Sequence, residues 1–243
     1  MIKDITSQVK ETNDWVYKRL EIILQIEDDL LRRLLLVTVI DSFAQHNSEY
    51  QRNNVQAHFA DFLCKYGAQR WPFLKQICCI TLYNQFVEQF VVAKIELNIA
   101  QSSLPTADNP VLEKEAKKLV WFLSEQGISN QKIQRHTFAN LIYAMRNKIS
   151  HELTNPGCPI NFYNHNEKQI PFVAQEYEIF FNEDENKNGI RPKCWNLHMP
   201  EQFLIDLLLE VTSNYLNECL MSNVAPFRNN SYDRKFYTAW YDD

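Results

Sequence analysis

"SNQKIQRHTFANLIYAMRNKISHELTNPG", residues 129–157, reads as one long amphipathic helix that stops abruptly. No proline or glycine interrupts it between Ser129 and Pro156, and Ser129 suits the capping position at its start. At ~100° per residue, Phe138, Leu141, Ile142, Met145 and Ile149 fall on one apolar stripe, the face expected to meet a core. Asn140, Tyr143, Asn147, Ser150 and His151 fall opposite, and Arg146 lies on the border, ~140° from His151 by the same geometry. The run "LTNPG" that follows cannot continue a helix.

The same punctuation extends in both directions. The four glycines, Gly67, Gly127, Gly157 and Gly189, sit where elements should end, and no proline occurs in 1–71, 111–155 or 201–225. Long helices are therefore expected near 4–26, 28–46, 53–66, 72–101, 109–126, 129–152 and 200–222. Asn109 before Pro110 is a natural helix start. The fold class is mainly α.

Between 158 and 199 the period changes. "QIPFVAQEYEIFF" and "RPKCWNLHM" are rich in aromatic and β-branched residues and flank the polar, glycine-containing "NEDENKNG". A β-hairpin is expected here, with 170–181 paired against 191–198, inserted before the last long helix. Residues 223–243 are aromatic but aperiodic and are expected to form an irregular tail. With no internal repeat and no low-complexity linker, a single domain, 1–243, is expected. Within it, a helical part covers 1–157, the hairpin 158–199, a packing helix 200–222 and the tail 223–243.

Composition narrows the function classes. With 45% hydrophobic and 23% charged residues, the 243-residue chain has the makings of a packed core, which excludes wholesale disorder. The longest early apolar run, "LLLVTVI" at 34–40, is too short to span a bilayer, and the N-terminus has no apolar signal core. A cytoplasmic protein without membrane association is the expectation. Six cysteines without a CxxC or a regular framework read as buried, reduced thiols. A net charge of −5 excludes a general phosphate-coating surface, so any contact with nucleic acid needs a local basic site.

Metal sites fare poorly. "DENKNG" at 184–189 opens like a calcium loop, but Trp195 stands where the bidentate carboxylate is required. Cys158, His165, Cys194 and His198 have spacings that fit no zinc module. Vicinal Cys78 and Cys79 are placed mid-helix and read as core. GxGxxG, P-loop, HExxH and GxSxG patterns do not occur. No cofactor is expected.

What remains is the C-terminal end of the 129–152 helix. A guanidinium, an amide, a hydroxyl and an imidazole gathered there suit RNA cleavage, because RNA supplies its own 2′-hydroxyl nucleophile. The protein then needs a group that moves protons near neutral pH and a cation for the charge on the phosphate oxygens. Histidine and arginine meet these needs without a metal.

"RNKISH" resembles the signature of the HEPN superfamily: Arg, often a polar residue, and His after four to six intervening positions. Arg146, Asn147 and His151 match it. The spacing recurs at Arg52…His58 and Arg191…His198, but the first begins in or beside a loop and the second precedes a proline in an expected strand. Only Arg146…His151 ends a long amphipathic helix. The resemblance covers roughly 1–157 and implies a HEPN-like helical bundle that dimerises with two motifs face to face. It further implies a metal-independent endoribonuclease of a defence or toxin system, leaving 2′,3′-cyclic phosphate and 5′-hydroxyl ends. In that reading Arg146, His151 and Asn147 are catalytic, Lys148, Ser150 and Tyr143 contact substrate, and an antitoxin or defence-complex protein is a further partner. The alternative is a non-catalytic HEPN-like dimerisation or adaptor module in which the same polar face is a contact surface.

Overall fold

The computed structural model describes residues 4–47, 55–99, 106–152, 160–161, 170–176 and 194–227. Helix α1 (Ile5–Leu24) begins where Asp4 accepts the backbone N–H of Ser7 at 2.9 Å, and it buries Val9, Val16, Leu20 and Ile23 along one stripe. After a short turn, α2 (Asp29–Asn47) starts with Asp28 accepting the N–H of Leu31 at 2.7 Å. Leu36, Val37, Ile40, Phe43 and Ala44 are all buried along one face, and Leu34, Leu35 and Val39, on other sides of the cylinder, are partly buried against the core as well. A helix apolar on several sides must be covered on several sides. Helices α1, α3 (Val55–Tyr66), α8 (Phe138–Glu152) and α9 (Glu201–Met221) all pack against it.

Helix α9 closes this assembly. Phe203, Leu204, Leu207, Leu208, Val211, Tyr215 and Leu216 are buried, and the helix packs on α1, α2 and α3. Each such side chain removed from water contributes roughly 1.5–3 kcal/mol before the entropy of ordering is charged against it. Two arginines tie the start of α2 to the start of α9. Arg32 Nε donates to Glu201 Oε1 at 3.0 Å, and fully buried Arg33 donates from Nη1 to the Met199 carbonyl at 2.6 Å. Beyond α9, Phe227 packs its ring on Phe43 and His46, with centroids 5.0 and 4.9 Å away.

The expectation of a continuous helix over 72–101 is corrected. A 3-10 turn at Pro72–Lys75 leads to α4 (Cys79–Gln85), then α5 (Val87–Val92), and helix ends before Lys94, whose φ is +55°, with 95–99 outside any helix or strand. Ile77 forms an antiparallel bridge with Thr137: the N–H of Cys78 donates to the His136 carbonyl at 2.8 Å, and that of Phe138 donates to the Gln76 carbonyl at 3.1 Å. Backbone groups committed across the molecule are lost to a local helix. Cys78 and Cys79 consequently lie at the start of α4, not mid-helix, with burial pushing both thiols up in pKa.

The same bridge splits the expected 129–152 helix into α7 (Asn130–Gln134) and α8. Thr137, not Ser129, caps the motif helix, accepting the Asn140 N–H at 3.4 Å and the Asn140 side-chain amide at 2.8 Å. Helix α6 (Pro110–Glu125) lies between, started by Asn109 as expected from the sequence and ended near Gly127, whose φ is +75°.

Among the described residues of 158–199, β2 (Phe172–Glu176) pairs antiparallel with β3 (Cys194–His198), Val173 opposite Leu197. These are the segments expected to form a hairpin; 177–193 lie outside the described residues. A third strand, β1 (Ile160–Asn161), runs parallel to the other edge of β3. Two residues are too short to carry a period-two signature, so this strand is not readable from sequence. Among the described residues, no helix is long and apolar enough to cross a membrane.

Candidate functional site

The sequence motif lies in the last two turns of α8, with Arg146 and His151 five positions apart on one helix. The side chains of 148–152 lie outside the described residues, so the placement of Lys148, Ser150 and His151 is that of their backbone alone. The described part of the site consists of Tyr143, Arg146, Asn147 and what they touch.

Helix α8 runs between α2 and α3 and packs on both. The apolar stripe behaves as expected where it is described: Phe138, Leu141, Ile142 and Met145 are buried. Tyr143 does not line a cleft, and its expected place on the polar face is corrected. It is buried, with its ring centroid 5.3 Å from that of Phe59 on α3. A helix with several neighbours has several covered faces, and α3 takes the one that a single-stripe reading leaves to solvent.

Arg146 is partly covered, its side chain 27% exposed. Its guanidinium is held from two directions. Nη1 donates to the Asn147 side-chain carbonyl at 3.0 Å, and Nη2 lies 3.4 Å from Asp41 Oδ2 on α2. Asp41 is only 4% exposed, and its Oδ2 also accepts from Gln45 Nε2 at 2.7 Å, one turn along. Burial raises the Asp41 pKa above the ordinary carboxylate value, while the Arg146 charge and the Gln45 amide pull against that rise. Two buried atoms of this pair, Arg146 Nε and Asp41 Oδ1, make no hydrogen bond.

Asp41 is the residue that motif reading misses, and the signal for it is nevertheless in the sequence. "LLVTVIDSFA", 35–44, contains a single carboxylate among residues that become core: Leu36, Val37, Ile40, Phe43 and Ala44 surround it in sequence and are all at most 1% exposed. Burying an acid in such company costs several kcal/mol unless a cation compensates it. An acid on a core stripe therefore implies a basic partner, though not which one.

Of the rival motif matches, His58 sits on α3 with its Nε2 buried and without a hydrogen bond, while Arg52, Arg191 and the residues of the calcium-like loop lie outside the described residues. Of the four zinc candidates only the His198 side chain is described, and it is buried at the end of β3. Among the described residues, no group of three or more His, Cys, Asp or Glu side chains could hold a metal ion. A surface depression of about 470 Å3 lies on other elements, lined by Glu88, Gln89, Val92, Ala93, Phe122 and Gln126. Those side chains bring no nucleophile or base pair together.

Chemically, the end of α8 presents a cation held in place beside a neutral amide, with a histidine one turn further on. The described cation and amide can bind an oxyanion. No protein-family model, no curated protein and no solved structure matches the chain.

Proposed function

We propose that the protein is a metal-independent endoribonuclease of the HEPN type, working as a homodimer in a defence or toxin system. The observation that carries this reading is the fixing of Arg146. Its guanidinium is anchored through Asn147 and Asp41 within reach of solvent, on the same terminal turns as His151. A bare helix-end arginine satisfying the helix dipole would need no buried carboxylate to hold it.

The reaction follows from the residues. The 2′-oxygen of a ribose attacks the adjacent phosphorus, forming the O2′–P bond while the P–O5′ bond breaks. The 2′-hydroxyl loses its proton to one imidazole, and the departing 5′-oxygen receives one from another. Two His151 side chains in a homodimer divide these tasks. Arg146 neutralises charge that grows on the non-bridging oxygens. Asn147 orients the guanidinium, and Lys148 and Ser150 contact the backbone of the RNA. Tyr143 acts in packing, not in substrate contact.

The test is incubation of purified protein with mixed RNAs in the presence of EDTA, followed by analysis of the ends. Products with 2′,3′-cyclic phosphate and 5′-hydroxyl ends that vanish in His151→Ala support the reading. Undiminished cleavage by His151→Ala, with contaminating nucleases excluded, refutes it.

Two observations favour a second reading, a non-catalytic dimerisation or adaptor module. Arg146 already faces a buried counter-charge, and the chain as a whole carries −5. In that case the end of α8 is a contact surface. Arg146→Ala then weakens self-association, while wild-type protein leaves RNA intact.

A further inference from the structure

We propose that Asp41 is a positioning residue, which holds the Arg146 guanidinium from across the α2–α8 interface in one orientation. The catalytic consequence rests on the ribonuclease reading above; the positioning itself does not.

Four observations converge on it. Asp41 sits among core residues of α2, where an apolar side chain of similar size would be the stable choice. A charge kept there is compensated in the structure by Arg146, 3.4 Å away on a different helix. Gln45 then fixes the carboxylate itself, donating to the same oxygen that faces Arg146, so the acid is held as well as holding. On the far side of the guanidinium, Asn147 takes Nη1. The plane of the arginine fork is thus defined by contacts on two nitrogens from two helices, and a rigid α2 sets where the fork points.

The remaining atoms fit the same purpose. Arg146 Nε is a buried donor without an acceptor, and Asp41 Oδ1 is a buried acceptor without a donor. Each is the complement of the other. An arginine and a carboxylate pair best through two parallel contacts, and here Nη2 and Oδ2 form an ion pair at 3.4 Å. Lysine cannot occupy this arrangement, because it has no second edge to present.

The experiment uses the full chain labelled with 15N. The Arg146 side-chain signals, assigned by their loss in Arg146→Lys, report rotation about the Cζ–Nε bond. Wild type is expected to show separate, slowly rotating Nη signals, and Asp41→Asn, which keeps the shape and the Gln45 contact, is expected to show averaged ones. A dispersed amide spectrum establishes that the variant folds. Under the ribonuclease reading, Asp41→Asn lowers kcat by about a hundredfold, as a misplaced catalytic group does, with KM changed far less. Combining it with Arg146→Lys gives no loss beyond Arg146→Lys alone. Freely rotating Arg146 in wild type overturns the proposal whether or not any variant folds. So does an Asp41→Asn protein with a locked Arg146 or with wild-type cleavage. A wild type that cleaves no RNA but shows the locked guanidinium overturns the ribonuclease reading and supports the hold of Asp41 on Arg146.

Discussion

Thr81 and His136, on opposite sides of the bridge that breaks both long helices, meet in the interior with Oγ1 3.1 Å from Nδ1. The imidazole is buried beside Phe86, with ring centroids 6.3 Å apart, and burial alone lowers its pKa from 6.5 to about 4. The folded protein keeps His136 neutral where the unfolded chain would protonate it. Between pH 6.5 and pH 4 the unfolded state therefore binds more protons, and stability falls as the pH falls. The full loss is about 3 kcal/mol. Thermal melts across that range should show wild type losing about 5–10 °C more than His136→Gln, which preserves a polar partner for Thr81 but does not titrate. Parallel melting curves for the two proteins would show that another group governs acid sensitivity.

Arginine chemistry at the end of α8 separates charge from shape. Arg146→Ala should abolish RNA cleavage, and Arg146→Lys should restore little of it, because an ammonium cannot reproduce the contacts to Asn147 and Asp41 together. His58→Ala serves as the control for the rival spacing and should cleave at the wild-type rate. Single-turnover assays on the three variants at equal folded concentration measure this. Recovery of full activity in Arg146→Lys would remove the fork from the mechanism.

The cap of α8 makes a prediction about stability alone. Thr137 accepts both the backbone and the side-chain amide of Asn140. Replacing it with valine keeps the volume and the β-branch but removes the acceptor. A cost of about 1 kcal/mol is expected in urea unfolding, with an unchanged slope.

Two glycines differ in why they are required. At Gly67 a Cβ would lie 2.9 Å from the Leu63 carbonyl oxygen and 2.9 Å from Leu74 Cδ1, so backbone must move. At Gly127 the space is open but φ is +75°, leaving only conformational strain. Gly127→Ala should cost about 1–2 kcal/mol. Gly67→Ala should cost more, and calorimetry on both variants gives the order directly.

Helices bounded by local stop signals are legible in the sequence. The ends of α1, α6 and α9 agree with the expected ones within two residues, because proline and glycine placement is a local signal. The failure at 72–101 has a tertiary cause: no residue near Ile77 announces that Thr137 will pair with it. Tyr143 departs from its expected place for a related reason, since an amphipathic stripe tells how many residues face a core, not how many neighbours a helix has. Arg146 was found by motif, yet its partner Asp41 lies 105 positions upstream and was marked only by being an acid on an apolar run. Pairing between elements is not a local property, and local residue patterns carry no mark of it.

The late position of α9 has a consequence for how the molecule comes into being. Helices α1, α2 and α3 emerge from synthesis long before residues 201–221, which cover them. At about 5–20 residues per second, the nascent chain carries Leu36, Ile40 and Phe43 without their final cover for on the order of ten seconds. During that interval the growing polypeptide is a client for any holdase that binds apolar helices, and a ribosome stalled before α9 would release an aggregation-prone fragment.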